Sequence, residues 1–184
     1  APGSWLDVLD DRWPGAIGWA SNVKLDESAV TTCGTLGTML GGFQVFGIGA
    51  YAEKTLQGLA PHTALRIQAR VFKVDRWNDK RVWLYVDAGL AWRSPNFAAG
   101  GAQQCGSTSS HEYEEEASAD VTISHYADNV TIRFTSDVDQ NNDWWGVQDV
   151  KVDLVTSAPA APAPPSAPGS WLDVLDDRWP GAIG

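Results

Sequence analysis

The chain has 184 residues, of which 43% are hydrophobic and 20% are charged, and its formal net charge is −10 at pH 7. This hydrophobic content excludes wholesale disorder, and no run of about 18 apolar residues occurs that would predict a membrane span. The acidic balance argues against nucleic acid as a partner, because affinity for phosphates comes largely from clustered Lys and Arg.

The first eighteen residues, APGSWLDVLDDRWPGAIG, recur unchanged at positions 167–184, so the two copies are offset by 166 residues. The identity extends to charged residues that are expected at a surface, which indicates duplication of a unit. We therefore interpret the chain as one unit of a tandem array followed by the opening of the next. The predicted organisation is a leader segment at 1–18, a domain at 19–156, a Pro/Ala linker at 157–166 and the next leader at 167–184.

The leader is apolar and directly follows the proline-rich linker in such an array. We expect it either to form the first strand of its own domain or to lie on the neighbouring unit, as in donor-strand complementation. Covalent linkage favours the second contact, and its repetition from head to tail produces an open filament. The docking residues predicted in the two copies are Trp5, Leu6, Val8, Leu9, Trp13, Trp171, Leu172, Val174, Leu175 and Trp179.

Most of the chain between the leaders has a pattern of period two. In ALRIQARVFKVD, apolar residues at 65, 67, 69 and 71 alternate with polar ones, which predicts a strand with one buried face. RVWLYV, ADVTISHY, NVTIRFTS and WWGVQDVKVDLV continue the pattern, and the ADN turn predicts that the two middle segments form a hairpin. With no βαβ rhythm, the predicted fold is all-β: an antiparallel β-sandwich of the jelly-roll kind, one domain per repeat.

The two cysteines, Cys33 and Cys105, lie far apart in the sequence and lack the spacing of metal ligands. A disulfide between them would be worth roughly 4 kcal/mol in the chain-entropy model. Two unrelated buried thiols are the alternative. An oxidised pair would indicate an extracellular setting.

The turn SDVDQNNDWWG places oxygen-bearing side chains at alternate positions: Asp137, Asp139, Asn141 and Asp143. Oxygen ligands of this kind suit calcium, so these residues are the predicted metal site and structural calcium is the predicted cofactor. An EF-hand is excluded because Asn142 and Gln148 occupy the places of the required Gly and Glu. A hydrated Asx turn is the alternative.

The ten tryptophans supply candidate carbohydrate contacts, because aromatic rings line sites for small molecules and can stack on sugar rings. Trp77 and Trp145 are the predicted contacts, and Trp83, Trp92 and Trp144 are further candidates. Burial in the core or in an interface is the alternative for all five.

No enzymatic activity is predicted. His62, His111 and His125 show no metal-ligand spacing, and no serine stands in a G-x-S-x-G elbow. HEYEEE would place an acidic row on one side of a strand, at Glu112, Glu114 and Glu116. Such a row is more typical of a solvated face than of a glycosidase.

The closing segment DQNNDWWGVQDVKV resembles the last strand of galactose-binding-like jelly rolls of secreted and cell-surface proteins. Together with TTCGTLGTMLGGFQVFGIGAYAEK and QQCGSTSSHEYEE, it makes residues 31–154 similar to a repeated extracellular domain of ciliate and other protist surface proteins. The resemblance implies that Cys33 pairs with Cys105 and that the protein is extracellular or at the cell surface. It carries over no catalytic residue.

Two functions follow from these observations. The first is a structural subunit of an extracellular filament, in which neighbouring copies of the repeat are partners and each leader docks on its neighbour. The alternative is a multivalent adhesin or lectin-like surface protein whose repeats bind glycans.

Overall fold

The computed structural model describes residues 4–11, 16–98, 100–108 and 113–156, and the strands in these ranges form two antiparallel sheets. The strands are β1 (Ser4–Asp11), β2 (Val30–Cys33), β3 (Gly37–Phe46), β4 (Tyr51–Gln57), β5 (Ala64–Val74), β6 (Val82–Val86), β7 (Gly89–Arg93), β8 (Glu115–Ser124), β9 (Asn129–Ser136) and β10 (Trp144–Thr156). Single 3-10 turns at Glu27–Ala29 and Gly34–Leu36 flank β2.

The first sheet has the strand order β2-β3-β10-β5-β8, and β1 also pairs with β10. β5 pairs with β10 from Trp144 to Val155, so it occupies one edge of that strand along nearly its whole length. The other edge is shared: β3 pairs with the first part of β10 and β1 with residues 150–156. The long last strand therefore receives two partners on one side.

The second sheet has the order β4-β9-β6-β7 and packs face to face with the first. Alternation along the strands explains the packing, because residues of one parity enter the core and those of the other parity face outwards. In β5, for example, Leu65, Ile67 and Val71 are fully buried. The predicted antiparallel all-β sandwich is confirmed.

The predicted hairpin between ADVTISHY and NVTIRFTS is wrong. These segments are β8 and β9, and they lie in different sheets: β8 pairs with β5, whereas β9 pairs with β4 and β6. The ADN turn carries the chain from one sheet to the other, where Leu59 N donates to Asp128 O (2.9 Å). A turn signal marks a reversal of the chain but not the strand that becomes the partner.

Cys33 and Cys105 form a disulfide, with Cα atoms 4.8 Å apart and a sequence separation of 72 residues. It joins the end of β2 to the long connection between β7 and β8. The bridge packs with Met39, Phe72 and Val74 in a small apolar cluster beside the main core. The alternative of two unrelated thiols is thereby excluded.

No helix among the described residues has the length and apolar character needed to cross a membrane.

Candidate functional site

The outward face of the second sheet carries a groove of about 660 Å³. It is lined by residues of β4, β6 and β9 and of the turns beside them: Gly49, Tyr51, Glu53, Tyr85, Asp87, Ala88, Thr131, Arg133 and Thr135. We call this surface the tyrosine groove. Two aromatic rings, two carboxylates, a guanidinium and hydroxyl groups are thus available to one ligand.

The alternation of the strands explains why these side chains meet. Ala52, Leu84 and Phe134 are buried in the core, so their neighbours along the chain point outwards. Tyr85 stands directly opposite Arg133 on the adjacent strand. Cross-strand pairing therefore brings together residues that are far apart in the sequence.

Arg133 is held in the middle of the groove by two contacts. Its Nε donates to Glu53 Oε2 at 2.7 Å, and its guanidinium lies 4.2 Å from the ring centroid of Tyr51. A planar guanidinium is suited to stacking on an aromatic ring while it forms hydrogen bonds in its own plane. The side chain is therefore held in place before a ligand arrives.

One end of the groove is formed by Asp87, in the turn between β6 and β7. Its Oδ1 accepts a hydrogen bond from Thr131 N (2.8 Å), and its Oδ2 lies 3.0 Å from His125 Nε2. His125 Nδ1 in turn lies 2.7 Å from His62 Nε2, and His62 Nδ1 faces the carbonyl of Ala60 at 2.7 Å. This buried chain of hydrogen bonds ties three loops together behind Asp87.

This histidine pair could not be predicted from the sequence, because His62 and His125 are 63 residues apart and lie in loops. Through its ring nitrogens, the histidine pair connects the carbonyl of Ala60 to the carboxylate of Asp87. We infer that the role of the pair is to hold Asp87 in position.

The predicted carbohydrate contacts Trp77 and Trp145 are wrong. Their side chains are only 2% and 0% exposed, because both belong to the core. Trp145 packs on Phe46, with ring centroids 4.8 Å apart, and Trp77 donates from Nε1 to the carbonyl of Trp144 at 3.0 Å. Neither ring offers a free face to a sugar, and the alternative of core burial is confirmed for these two residues.

The three further candidates, Trp83, Trp92 and Trp144, are half-buried, and one of them lies beside the tyrosine groove. Trp83 is paired with Thr135, which lines the groove, and projects from the same face of β6 as Tyr85. The sequence already indicated this position, because Trp83 and Tyr85 alternate in RVWLYV with apolar residues such as Val82 and therefore project from the other face of the strand. The contributions of Tyr51 and Arg133 depended on strand pairing and were missed.

The predicted metal ligands have different environments. Asp137 Oδ1 accepts a hydrogen bond from Arg81 N (2.6 Å), and Asp139 Oδ2 pairs with Lys80 Nζ (2.7 Å). Asn141 is exposed, whereas Asp143 is 0% exposed and no described residue donates to its carboxylate oxygens. The structure does not gather the three aspartates of the turn into one cluster, so calcium binding stays a prediction that depends mainly on Asp143.

One group of metal-ligand side chains does converge in the described ranges, namely Cys33, Cys105 and Glu114. Its two sulfur atoms are joined in the disulfide and are not available as thiolates. Glu114 Oε2 accepts hydrogen bonds from the backbone N–H groups of Gln104 (2.5 Å) and Cys105 (3.1 Å). This group therefore stabilises the loop that carries Cys105.

Replacement of Asp143 by Asn should stabilise the protein at pH 7.5 and remove part of its pH dependence. Burial raises the pKa of Asp143 from 3.8 to about 6, and the nearby carboxylate of Asp139 adds to the shift. The folded state therefore gains stability from protonation as pH falls from 6 to 4, and loses it as pH rises through 6. By linkage, Asp143→Asn should raise the free energy of unfolding at pH 7.5 by about 1–3 kcal/mol relative to the wild type. Urea unfolding of both proteins at pH 4.5 and 7.5 measures the change.

The same experiment in calcium and in chelator tests the predicted ion. If Asp143 holds calcium, calcium will raise the melting temperature of the wild type but not of Asp143→Asn, and the substitution will destabilise the protein at pH 7.5. That result would contradict the expected stabilisation and support the metal site. Asp128→Asn, at an exposed position outside this turn, is the matched control.

The first leader forms the first strand of its own domain, which was one of the two predicted placements. Val8 and Leu9 are half-buried against the core, whereas Trp5 and Leu6 are 50% and 45% exposed. Trp13 lies outside the described residues. So do all the predicted docking residues of the second copy: Trp171, Leu172, Val174, Leu175 and Trp179. Docking on a neighbouring unit stays a prediction.

Comparisons with solved structures identify similar folds. The CBM22-1 xylan-binding domain of Paenibacillus barcinonensis Xyn10C has 12% identity and a TM-score of 0.51, over 86% of this chain and 100% of that one. The CBM22-1–CBM22-2 tandem domain of the same protein has 13% identity and a TM-score of 0.51, over 89% of this chain and 50% of that one. No protein-family model matches the chain, and no curated protein matches its sequence.

A third similar structure holds a sugar ligand. The CBM22-1–GH10 modules of Clostridium thermocellum xylanase 10B, in complex with xylohexaose, have 14% identity and a TM-score of 0.50, over 84% of this chain and 30% of that one. At these identities the likeness concerns the fold. It confirms the predicted jelly-roll β-sandwich and supports the galactose-binding-like part of the resemblance, while the protist relationship stays a prediction.

Proposed function

We propose that this chain is a non-catalytic carbohydrate-binding module of an extracellular protein, and that the tyrosine groove is its binding site. The observation that carries the proposal is the outward-facing set of Tyr51, Tyr85 and Arg133 on three neighbouring strands. Aromatic rings supply apolar contact area to the C–H faces of sugars, and charged groups bond to hydroxyls.

The groove has the composition that a neutral, hydroxyl-rich ligand requires. The Arg133 guanidinium is paired with the Glu53 carboxylate, so the groove does not present an unbalanced cation that would select phosphate or sulfate. Both groups are nevertheless held at the surface, where they can bond to ligand hydroxyls. Thr131 and Thr135 add further hydroxyl groups between the rings.

The outward face of the first sheet is a weaker candidate. Its groove is lined by Gln68, Arg70, Asp120, Lys151 and other residues, and it contains no aromatic ring. Arg66 and Arg70 are engaged by Asp120 and Glu116. This surface is an array of ion pairs with little apolar area for a sugar ring to cover.

Xylan is the first ligand to test, because two of the three similar structures are a xylan-binding domain and a xylohexaose complex. The likeness suggests a ligand class and does not by itself transfer a site. The tyrosine groove is proposed from the residues of this chain alone.

Tyr51→Ala and Tyr85→Ala should each weaken binding of soluble xylan about tenfold, since loss of a buried aromatic contact costs about 1.4 kcal/mol or more. Binding is measured by affinity electrophoresis and calorimetry, with glucomannan and a β-1,3-glucan in parallel. Tyr126→Ala is the matched control, because this tyrosine is 72% exposed and lies outside the groove.

The proposal is overturned if no polysaccharide binds the wild type, or if the two groove variants bind as the wild type does. Selective loss of binding in Arg66→Ala or Arg70→Ala would instead assign the ligand to the first sheet. Unchanged melting temperatures of the tyrosine variants show that any loss of affinity is local to the groove.

The second candidate function is an extracellular array of these repeats, as the sequence predicts. The observation that favours it is the antiparallel pairing of β1 with β10, which begins at the pair Ser4–Thr156. The same segment recurs in the sequence after the linker. A chain of such domains would display several grooves along one polymer and bind glycans with avidity.

A further inference from the structure

The leader strand covers a defined edge of β10. β1 runs antiparallel to β10 from the pair Ser4–Thr156 to the pair Asp11–Val150, with an irregularity between Asp7 and Leu9. At the start of the ladder the hydroxyls of Ser4 and Thr156 are 2.6 Å apart. The N-terminal end of the leader therefore lies beside the C-terminal end of β10.

The leader is bound through side chains as well as through the ladder. Trp5 lies under the guanidinium of Arg66, with 5.5 Å between the guanidinium carbon and the ring centroid. At the other end, Asp11 Oδ2 accepts hydrogen bonds from Lys54 Nζ (2.6 Å) and Trp19 Nε1 (2.8 Å). Backbone, apolar and charged contacts thus combine along one segment of eight residues.

The second leader carries every group that makes these contacts, because residues 170–177 repeat residues 4–11 without a difference. It follows β10 after residues 157–169. An antiparallel neighbour can be connected to β10 by a hairpin loop, and this neighbour starts beside the very residue at which β10 ends. At about 3.1 Å per residue, the proline-rich segment is much longer than the roughly 5 Å between neighbouring strands.

We propose that the two leaders compete for the same edge of β10. The domain is closed either by the leader that precedes it or, through a hairpin, by the leader that follows it. This inference deepens the repeat-array proposal and is independent of glycan binding. Two segments can exchange at one strand edge only if both can make equivalent contacts there. The identical sequences of the two leaders meet this requirement.

In an array, this competition makes the leader a shared connecting element. A leader on the β10 of its own unit leaves two domains joined only by the linker. A leader on the preceding β10 brings the start of the next domain against that unit and shortens the connection. The tyrosine groove lies on the other sheet, so either arrangement leaves it open.

The test uses the full chain with charges introduced into the apolar part of each leader. Val8→Asp with Leu9→Asp is designed to prevent the first leader from pairing with β10. Val174→Asp with Leu175→Asp does the same to the second leader, and the fourfold variant prevents both from pairing. We expect each double variant to melt within about 2 °C of the wild type, and the fourfold variant about 5–10 °C lower. Ala160→Asp with Ala161→Asp in the linker controls for added charge.

The proposal is overturned if the first double variant loses as much stability as the fourfold variant while the second loses none. In that case the first leader alone closes the domain, and the repeats could still form an array of independent beads. Hydrogen exchange gives a second measurement: residues 170–177 should become protected when the first leader is disabled. Fast exchange there would also refute the competition, whereas retained xylan binding would leave the glycan proposal intact.

Discussion

Replacement of Trp145 by Ala is expected to lower the free energy of unfolding by about 3–5 kcal/mol, as for other buried Trp residues. Trp145 is fully buried on Phe46, and it is the β10 residue that pairs with both Phe46 and Lys73. Loss of the ring leaves a cavity in the core that cannot close without moving β10 and the strands paired with it. Urea unfolding followed by circular dichroism measures the change.

Trp145→Phe distinguishes packing from ligand contact. The indole nitrogen of Trp145 has no hydrogen-bond partner among the described residues, so Phe removes a buried unsatisfied donor while it keeps an aromatic ring. We expect less than half the cost of the Ala variant, and xylan affinity equal to that of the wild type. A folded Trp145→Phe protein with lost xylan affinity would contradict the assignment of this residue to the core.

Removal of the Cys33–Cys105 disulfide is expected to cost about 4 kcal/mol in the chain-entropy model, because it closes a loop of more than 70 residues. For a domain of this size the melting temperature should fall by about 8–16 °C. The comparison is between the wild type and Cys33→Ala with Cys105→Ala. Calorimetry in the presence and absence of a thiol reductant measures both proteins.

The reductant provides the control for this prediction. It should lower the melting temperature of the wild type towards that of the double variant and leave the double variant unchanged. If thiol titration shows that the wild type is reduced and its melting temperature stays the same, the bridge contributes nothing. Glu114 could then account for the order of the loop, since it accepts hydrogen bonds from Gln104 N and Cys105 N.

The placement of the two proposed activities has a simple structural basis. The tyrosine groove belongs to the second sheet, whereas the leader completes the first sheet at β10. Since the two sheets pack through their inner faces, their outer faces are on opposite sides of the sandwich. A glycan can therefore bind to one side while neighbouring repeats interact through the other.

The fold class could be read from the sequence because β-strands impose a period of two on burial. ALRIQARVFKVD shows that period, and Leu65, Ile67 and Val71 are buried as predicted. The period cannot say which strand becomes the neighbour of another. The adjacent segments β8 and β9 were therefore predicted as a hairpin, although hydrogen bonding places them in different sheets.

The candidate site shows the same division. Strand alternation in the sequence predicts that Trp83 and Tyr85 project from the polar face of a strand, and the printed letters show that the leader is an exact duplicate. The pairing of strands and the packing of sheets bring Tyr51 and Arg133 to Tyr85 and bury Trp77 and Trp145, which no single segment reveals. The physical reason is that alternation fixes the direction of a side chain from its own strand, whereas its exposure and its neighbours depend on the other strands and the opposing sheet.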